Sequence, residues 1–175
     1  MPTLAMLRAR NVRLMGFDVD GVLTDGRLYF SAEGDVLKAF HSRDGLGMQL
    51  LANAGIRLAI ITGRKSALVE RRAENLGIDL VFQGVEDKRA VMAGLLAREG
   101  LDFTQAGYMG DDVVDVSIMG ACGFAATVPD AHALVLQQAH YVARRPAGRG
   151  AVREVCELIL RAQDRLGQAL APHLG

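Results

Sequence analysis

Three aspartates, Asp18, Asp20 and Asp25, stand within eight positions of one another in the stretch FDVDGVLTDG. They follow directly on an apolar run that ends at Phe17. Carboxylates this close repel, so a cation must offset them or they must do work together. Polar residues recur at the ends of other apolar runs. Thr62, Gly63 and Arg64 follow RLAII, Lys88 follows LVFQGVED, and Asp111, Asp112 and Asp115 follow QAGYMG. The set suits phosphoryl chemistry. Asp18 and Asp111, with a backbone carbonyl nearby, supply hard oxygen ligands for Mg²⁺, which keeps waters and takes phosphate as a further ligand. With the cation in place, Asp18 can approach a phosphate dianion and attack phosphorus, giving an aspartyl phosphate. Asp20 can protonate the leaving alcohol and then deprotonate water. Thr62 and Lys88 can hold the phosphoryl oxygens as charge redistributes. Asp112 and Asp115 would orient metal-bound waters or Lys88.

Each of these residues, taken alone, has an ordinary structural explanation. Asp18 and Asp20 fit an Asx-type turn. Thr62 fits the start of a helix, and Asp111 and Asp112 fit helix caps. Asp87 fits an N-cap with Lys88 as a solvated first-turn residue, although a lysine there opposes the helix dipole. A calcium loop fails, because Val22 and Tyr29 fall where oxygen ligands belong. The decisive feature is the set: Asp, Asp, Thr, Lys and Asp in order, each at a predicted strand exit.

Those exits come from a simple alternation. Strands are expected at residues 12–19, 57–61, 80–82, 106–109, 124–126 and 141–143. Helices are expected near 45–54, 66–76, 87–98, 113–119, 131–138 and 151–168. Short apolar runs separated by helices of about ten residues predict βαβ units, hence a Rossmann-like doubly wound parallel α/β sheet. Such sheets place ligands at the carboxyl ends of their strands. One stretch breaks the alternation. In GRLYFSAEGDVLKAFH, residues 26–41, two apolar runs flank a turn cluster, which predicts an inserted β-hairpin. The hairpin follows the acidic loop, where it could shade the site or pair with another subunit. There is room for a hairpin and one helix between Asp25 and Thr62, and for one helix–strand unit between Thr62 and Lys88. Neither gap holds a cap domain, so the 175 residues are expected to form one domain over 1–175, with a tail at about 167–175.

Composition narrows the partners. Twenty basic residues balance twenty acidic ones, and half the chain is apolar. The balance argues against nucleic acid or an anionic membrane as bulk partner. No apolar run reaches membrane-spanning length, and the first residues lack the features of a signal peptide. Cys122 and Cys156 match no metal-ligand spacing and are expected as free buried thiols in a reducing cytoplasm.

DVDGVLTD, ITGR, Lys88 within EDK, and GDDVVD resemble the four motifs of the haloacid-dehalogenase-like phosphatases, in order and suitably spaced. The resemblance implies Asp18 as nucleophile, Asp20 as acid/base, and Mg²⁺ held by Asp18, the Asp20 carbonyl and Asp111. FHSRDGLGMQLL, AIITGRKSALVERRAENLGI, VPDAHALV and AGRGAVREVCELIL extend the likeness over about residues 11–166. Together they resemble the 3-deoxy-D-manno-octulosonate 8-phosphate phosphatases, which make the eight-carbon sugar acid of lipopolysaccharide. That family implies a capless homotetramer whose hairpins form a central barrel; with no room for a cap, a neighbouring subunit is expected to close each site, in the cytoplasm that the free thiols suggest. Relatives acting on nine-carbon sialic-type acid phosphates resemble TGEK where this chain has Thr62-Gly63-Arg64-Lys65, so Arg64 points to the octulosonate. Gly63, Arg64 and Arg72 are the expected substrate contacts, with Arg149 a further candidate. A phospho-aspartate receiver is the main reading of another class. It fits less well, because receivers lack the acidic cluster after the lysine and the acid/base two residues from the acceptor.

Overall fold

The first strand is apolar throughout because both of its faces are covered. The computed structural model describes residues 2–174. Helix α1 (Leu4–Ala9) leads into β1 (Leu14–Phe17), followed by a hairpin of β2 (Tyr29–Ser31) and β3 (Gly34–Leu37). Then come α2 (Ser42–Asn53), β4 (Arg57–Ile61), α3 (Ala67–Leu76), β5 (Leu80–Phe82) and α4 (Lys88–Glu99). The second half contributes β6 (Ala106–Met109), α5 (Val116–Ala121), β7 (Phe124–Thr127), α6 (Ala133–Gln138), β8 (Tyr141–Val142), α7 (Ala151–Ala162) and α8 (Leu166–Leu170). Six strands pair in the order β5-β4-β1-β6-β7-β8, and every pairing is parallel. The chain moves to one side of β1 and later returns to the other, so the topological switch point lies at the carboxyl end of β1.

Side chains alternate across this sheet. Met15 and Phe17 of β1, Leu58 and Ile60 of β4, and Phe124 and Ala126 of β7 enter one core with α1, α2 and α7. Leu14, Ala59, Ile61, Tyr108 and Ala125 enter the other, against α4 and α5. Gly16 faces the second core, where a Cβ would stand 2.8 Å from the Tyr108 ring, so the strand gives up a side chain to seat that tyrosine under the switch point. On the first face, α7 has no capping side chain of its own. Buried Asp44 of α2 takes that place, accepting from the N–H groups of Gly150 (3.1 Å) and Arg153 (2.8 Å).

The predicted strands and helices are present, and the differences have local causes. The first strand is shorter than 12–19, because the backbone turns at once after Phe17. The helix expected at 113–119 starts as a 3₁₀ turn, Val113–Asp115, set by a reciprocal cap between Asp112 and Asp115. The long helix expected over 151–168 breaks after Ala162, with Asp164 at φ 57. The chain then re-forms α8, which packs Leu166, Ala169 and Leu170 on the first core, so the expected tail is ordered at its start. Its last residue, Gly175, lies outside the described residues. Helix α1 has no counterpart among the expected elements. Only the hairpin and α2 separate β1 from β4, and only α3 separates β4 from β5, so no cap domain is inserted there. Both cysteines are free and buried. Among the described residues, no helix is long and apolar enough to cross a membrane.

Candidate active site

At the carboxyl end of β1 the Asp18 N–H still bonds to the Met109 carbonyl of β6, at 3.0 Å, which holds the residue at the strand exit. The chain then coils tightly: the N–H groups of Val22, Leu23 and Thr24 all point to the Val19 carbonyl. Gly21 makes the coil possible twice over. Its φ is +84°, and a Cβ there would lie 2.0 Å from Asp111 Oδ2. A second glycine closes the coil from outside. Gly148, at φ +60°, donates to the Val22 carbonyl, and a Cβ on it would meet the Thr24–Asp25 backbone at 2.7 Å.

The carboxylates then meet one lysine. Lys88 opens α4, only 3 % exposed, and Nζ donates to Asp18 Oδ2 and to Asp115 Oδ1, at 2.7 Å each. A lysine in a helix's first turn is unfavourable alone, and these two anions offset it. Burial works against the charge of Lys88, but Asp18 and Asp115 hold its pKa above the ordinary lysine range. Asp115 is wholly buried and fully used. Tyr108 Oη lies 3.2 Å from its Oδ1, and its Oδ2 accepts from the N–H groups of Asp111 (3.0 Å) and Asp112 (3.3 Å). Asp115 thus positions Lys88, one of the two roles expected of it.

Asp18 and Asp111 are short of positive charge. Burial and then the charge of Asp115 raise the Asp18 carboxyl to about 6, against the pull of Lys88. Burial, Asp18, Asp115 and Asp112 raise Asp111 to about 7. Ligand oxygens of Asp18, Asp111 and Asp115 lie within 4.8 Å of one another. With Asp115 committed to Lys88 and the backbone, Asp18 and Asp111 are the carboxylates left to bind a cation. Hard oxygen donors with excess negative charge fit Mg²⁺.

A pocket of about 300 Å³ opens over this centre. It is lined by Asp18, Asp20, Thr62, Gly63, Arg64, Lys88, Asp111 and Asp112, eight of the ten residues expected from the sequence. Thr62 reaches it from the end of β4, where its N–H bonds to the Phe82 carbonyl at 2.9 Å. Asp115 lies beneath the floor. Arg72 is not brought to this pocket. Its guanidinium stacks on Phe40 (5.7 Å to the ring centre) and reaches the His41 carbonyl at 3.5 Å. Arg149 lines a separate cleft beside α7.

Two residues escaped the sequence reading. Lys38, just after β3, pairs with Asp20 Oδ1 at 2.5 Å and is 2 % exposed in its side chain, although the hairpin around it is open to solvent. Arg64 approaches the other oxygen of Asp20 at 3.6 Å and stacks on Phe30 of the hairpin at 5.1 Å. The hairpin is therefore tied to Asp20 through two cations. The only sequence signal for Lys38 was a cation ending an apolar strand close behind an acidic loop. The second residue, Tyr108, looked like core, but its hydroxyl bridges the region between Ile61 O (3.0 Å) and Asp115.

No family model matches the chain. It is 50 % identical over 159 residues to the 3-deoxy-D-manno-octulosonate 8-phosphate phosphatase KdsC of Yersinia pestis, covering 91 % of this chain and 85 % of that protein. The crystal structure of the corresponding phosphatase from Moraxella catarrhalis, in complex with magnesium, phosphate and KDO, superposes with a TM-score of 0.93 at 41 % identity, covering 97 % of each chain. The cobalt-bound phosphatase from Haemophilus influenzae gives a TM-score of 0.89 at 38 % identity, covering 94 % of this chain and 99 % of that one.

Proposed function

The chain belongs to the family of 3-deoxy-D-manno-octulosonate 8-phosphate phosphatases, and from that premise we propose how its residues carry out the hydrolysis. The protein is a phosphoric monoester hydrolase that releases phosphate from the 8-phosphate of the eight-carbon sugar acid. Asp18 and Asp111 hold the Mg²⁺, together with the Asp20 carbonyl. When bound, the ion neutralises the carboxylates and the phosphate, so that anion can meet anion. Asp18 attacks phosphorus, and the bond to the sugar oxygen breaks. Asp20 gives that oxygen its proton, then takes one from the water that splits the aspartyl phosphate. Lys88 and Thr62 hold the equatorial oxygens. Asp115 keeps Lys88 aimed, and Asp112 caps the turn that presents Asp111. Gly63 and Arg64 line the substrate's approach.

The observation that carries this reading is Lys88 bridging Asp18 and Asp115 under a pocket that also gathers Asp20, Thr62 and Asp111. The nine-carbon alternative has no comparable support, since the relatives are named for the eight-carbon substrate. The test is phosphate release from a panel holding octulosonate 8-phosphate and a nine-carbon acid 9-phosphate, with Mg²⁺ and with chelator. A metal-dependent preference for the first is expected. A flat, weak profile would remove the substrate, and no release would remove the activity.

The finer statements belong to the same proposal. The enzyme serves lipopolysaccharide precursor synthesis in the cytoplasm, which its free buried thiols suit. It works as a homotetramer. Leu28, Tyr29, Phe30, Val36 and Leu37 leave the hairpin with exposed apolar side chains. An isolated two-stranded hairpin is marginal in water, and the capless pocket needs closure to exclude water. A neighbouring subunit would answer both needs.

A further inference from the structure

A second cleft, larger than the acidic pocket at about 770 Å³, runs along α7 on the first-core face. Its charge is opposite to that of the pocket. Six arginines line it against two glutamates, a formal excess of four positive charges in a chain with no net charge overall. The glutamates are already committed. Glu154 accepts from the Tyr141 hydroxyl (2.5 Å) and from the N–H groups of Arg144 and Arg145, and Glu157 pairs with Arg153 (2.5 Å). Among the described residues, the guanidinium groups of Arg43, Arg144, Arg145, Arg149 and Arg161 make no hydrogen bond or salt bridge. Five guanidinium forks in one concavity with a net excess of four charges repel one another unless anions sit among them.

We propose that this cleft binds an oligophosphate. Guanidinium forks match phosphate oxygens in pairs. Several forks in one cleft ask for several anionic groups in one ligand, which a single phosphate does not offer. They are also spread out: the cleft follows a twelve-residue helix, about 18 Å long, from Arg149 before its start to Arg161 in its last turn. Its volume lies in the range of small-molecule sites. A concave site on a chain without net charge suits a compact ligand better than a nucleic acid, which needs an extended basic surface. At the Arg161 end the wall is apolar, with Met6 of α1 and Leu158 half-buried against the core. That wall can take an organic group such as a nucleoside, while the phosphates lie toward Arg144, Arg145 and Arg149. Inorganic triphosphate and a nucleoside triphosphate share the chemistry, and the experiment separates them.

The test is calorimetric titration of the full chain with inorganic triphosphate, with ATP and with orthophosphate. Excess EDTA keeps the acidic pocket metal-free, so that it repels anions. Saturable binding of one triphosphate per chain, much tighter than orthophosphate and weakening from about 50 to about 300 mM salt, is expected. ATP tighter than triphosphate would identify a nucleotide as the ligand, and equal affinities an inorganic chain. Arg145→Gln/Arg161→Gln should weaken binding about tenfold or more, with melting temperature and Mg²⁺-dependent aryl phosphate turnover unchanged. Should that pair fold poorly, Arg145→Lys/Arg161→Lys keeps the charge, loses the fork and should bind with intermediate affinity. Absence of saturation to about 10 mM, affinity indifferent to both variants, or a changed subunit number in either variant would overturn the proposal. The last result would give these arginines to an interface between copies.

Discussion

The acidic centre and the hairpin beside it are held together in opposite ways. At the centre, Asp18, Lys88 and Asp115 are buried, and each satisfies another. Asp115 alone receives a lysine, a tyrosine hydroxyl and two backbone N–H groups. The hairpin exposes both faces of β2, and its described ties to the centre are the Lys38–Asp20 pair and the Phe30–Arg64 stack. The difference separates two jobs. The chemistry is over-determined within one chain. On the proposed homotetramer, closure falls to the hairpin of a neighbouring subunit, so damage at the centre should strike activity in a single subunit, while damage at the hairpin should strike assembly and selectivity.

The largest effect should come from Asp18→Asn. The amide is a poor nucleophile and a poor metal ligand, so phosphate release should fall at least ~10⁴-fold, with circular dichroism unchanged. Near-full turnover would end the assignment of the nucleophile. Next is Asp115→Asn. Asp115 is wholly buried and does not line the pocket, yet the substitution leaves Lys88 buried with one partner fewer, and breaking a buried pair costs about 3–5 kcal/mol. Denaturant unfolding should show that loss, together with a turnover defect. A stable but inactive variant would mean Asp115 acts on the metal directly instead of through Lys88.

These two residues also mark how far the sequence could be read. β4, β5 and β6 were legible to the residue, because each is a short apolar run stopped by a polar exit, and eight of ten expected site residues share one pocket for the same reason. Arg72 is the expected contact that lies away from this pocket, because which way a helix face turns depends on packing that no local pattern records. It faces Phe40 and His41. Lys38 was missed because its partner lies eighteen positions away, across a hairpin whose placement depends on tertiary contacts. The short α1 carries too few turns to reveal a period. The single long helix expected at the C-terminus broke at Asp164, where the left-handed residue is not glycine and so gave no warning.

Lys38→Met tests the tie between the two regions. It leaves Asp18, Lys88 and Asp111 intact, but frees one oxygen of Asp20. Leaving-group protonation matters for a sugar alkoxide and little for an aryl oxide. Turnover of the sugar phosphate should therefore drop by about tenfold or more, while an aryl phosphate with a good leaving group is nearly spared. Equal loss on both would mean Lys38 serves the fold. Val36→Ser/Leu37→Ser removes exposed apolar surface from β3. Sedimentation should then report smaller assemblies, with aryl phosphate turnover retained in each chain. Unchanged mass would take the hairpin out of the interface.

The smallest effect is a pH dependence confined to the centre. Asp18 and Asp111 titrate near 6 and 7 in the folded chain against 3.8 as the ordinary value. Between about pH 4 and 7 the folded state thus binds more protons than the unfolded state, and metal-free stability contributed by these groups falls as pH rises through that window. Lys88 stays charged throughout, since its pKa is raised, and does not alter the sign. Mg²⁺ takes the place of those protons, so it should raise the melting temperature by several degrees near pH 8 and hardly at all near pH 5. Asp111→Asn should flatten the metal-free pH slope and remove most of the Mg²⁺ response, whereas Val36→Ser/Leu37→Ser should leave both intact. A Mg²⁺ response equal at both pH values would show that the ion binds carboxylates other than this raised pair.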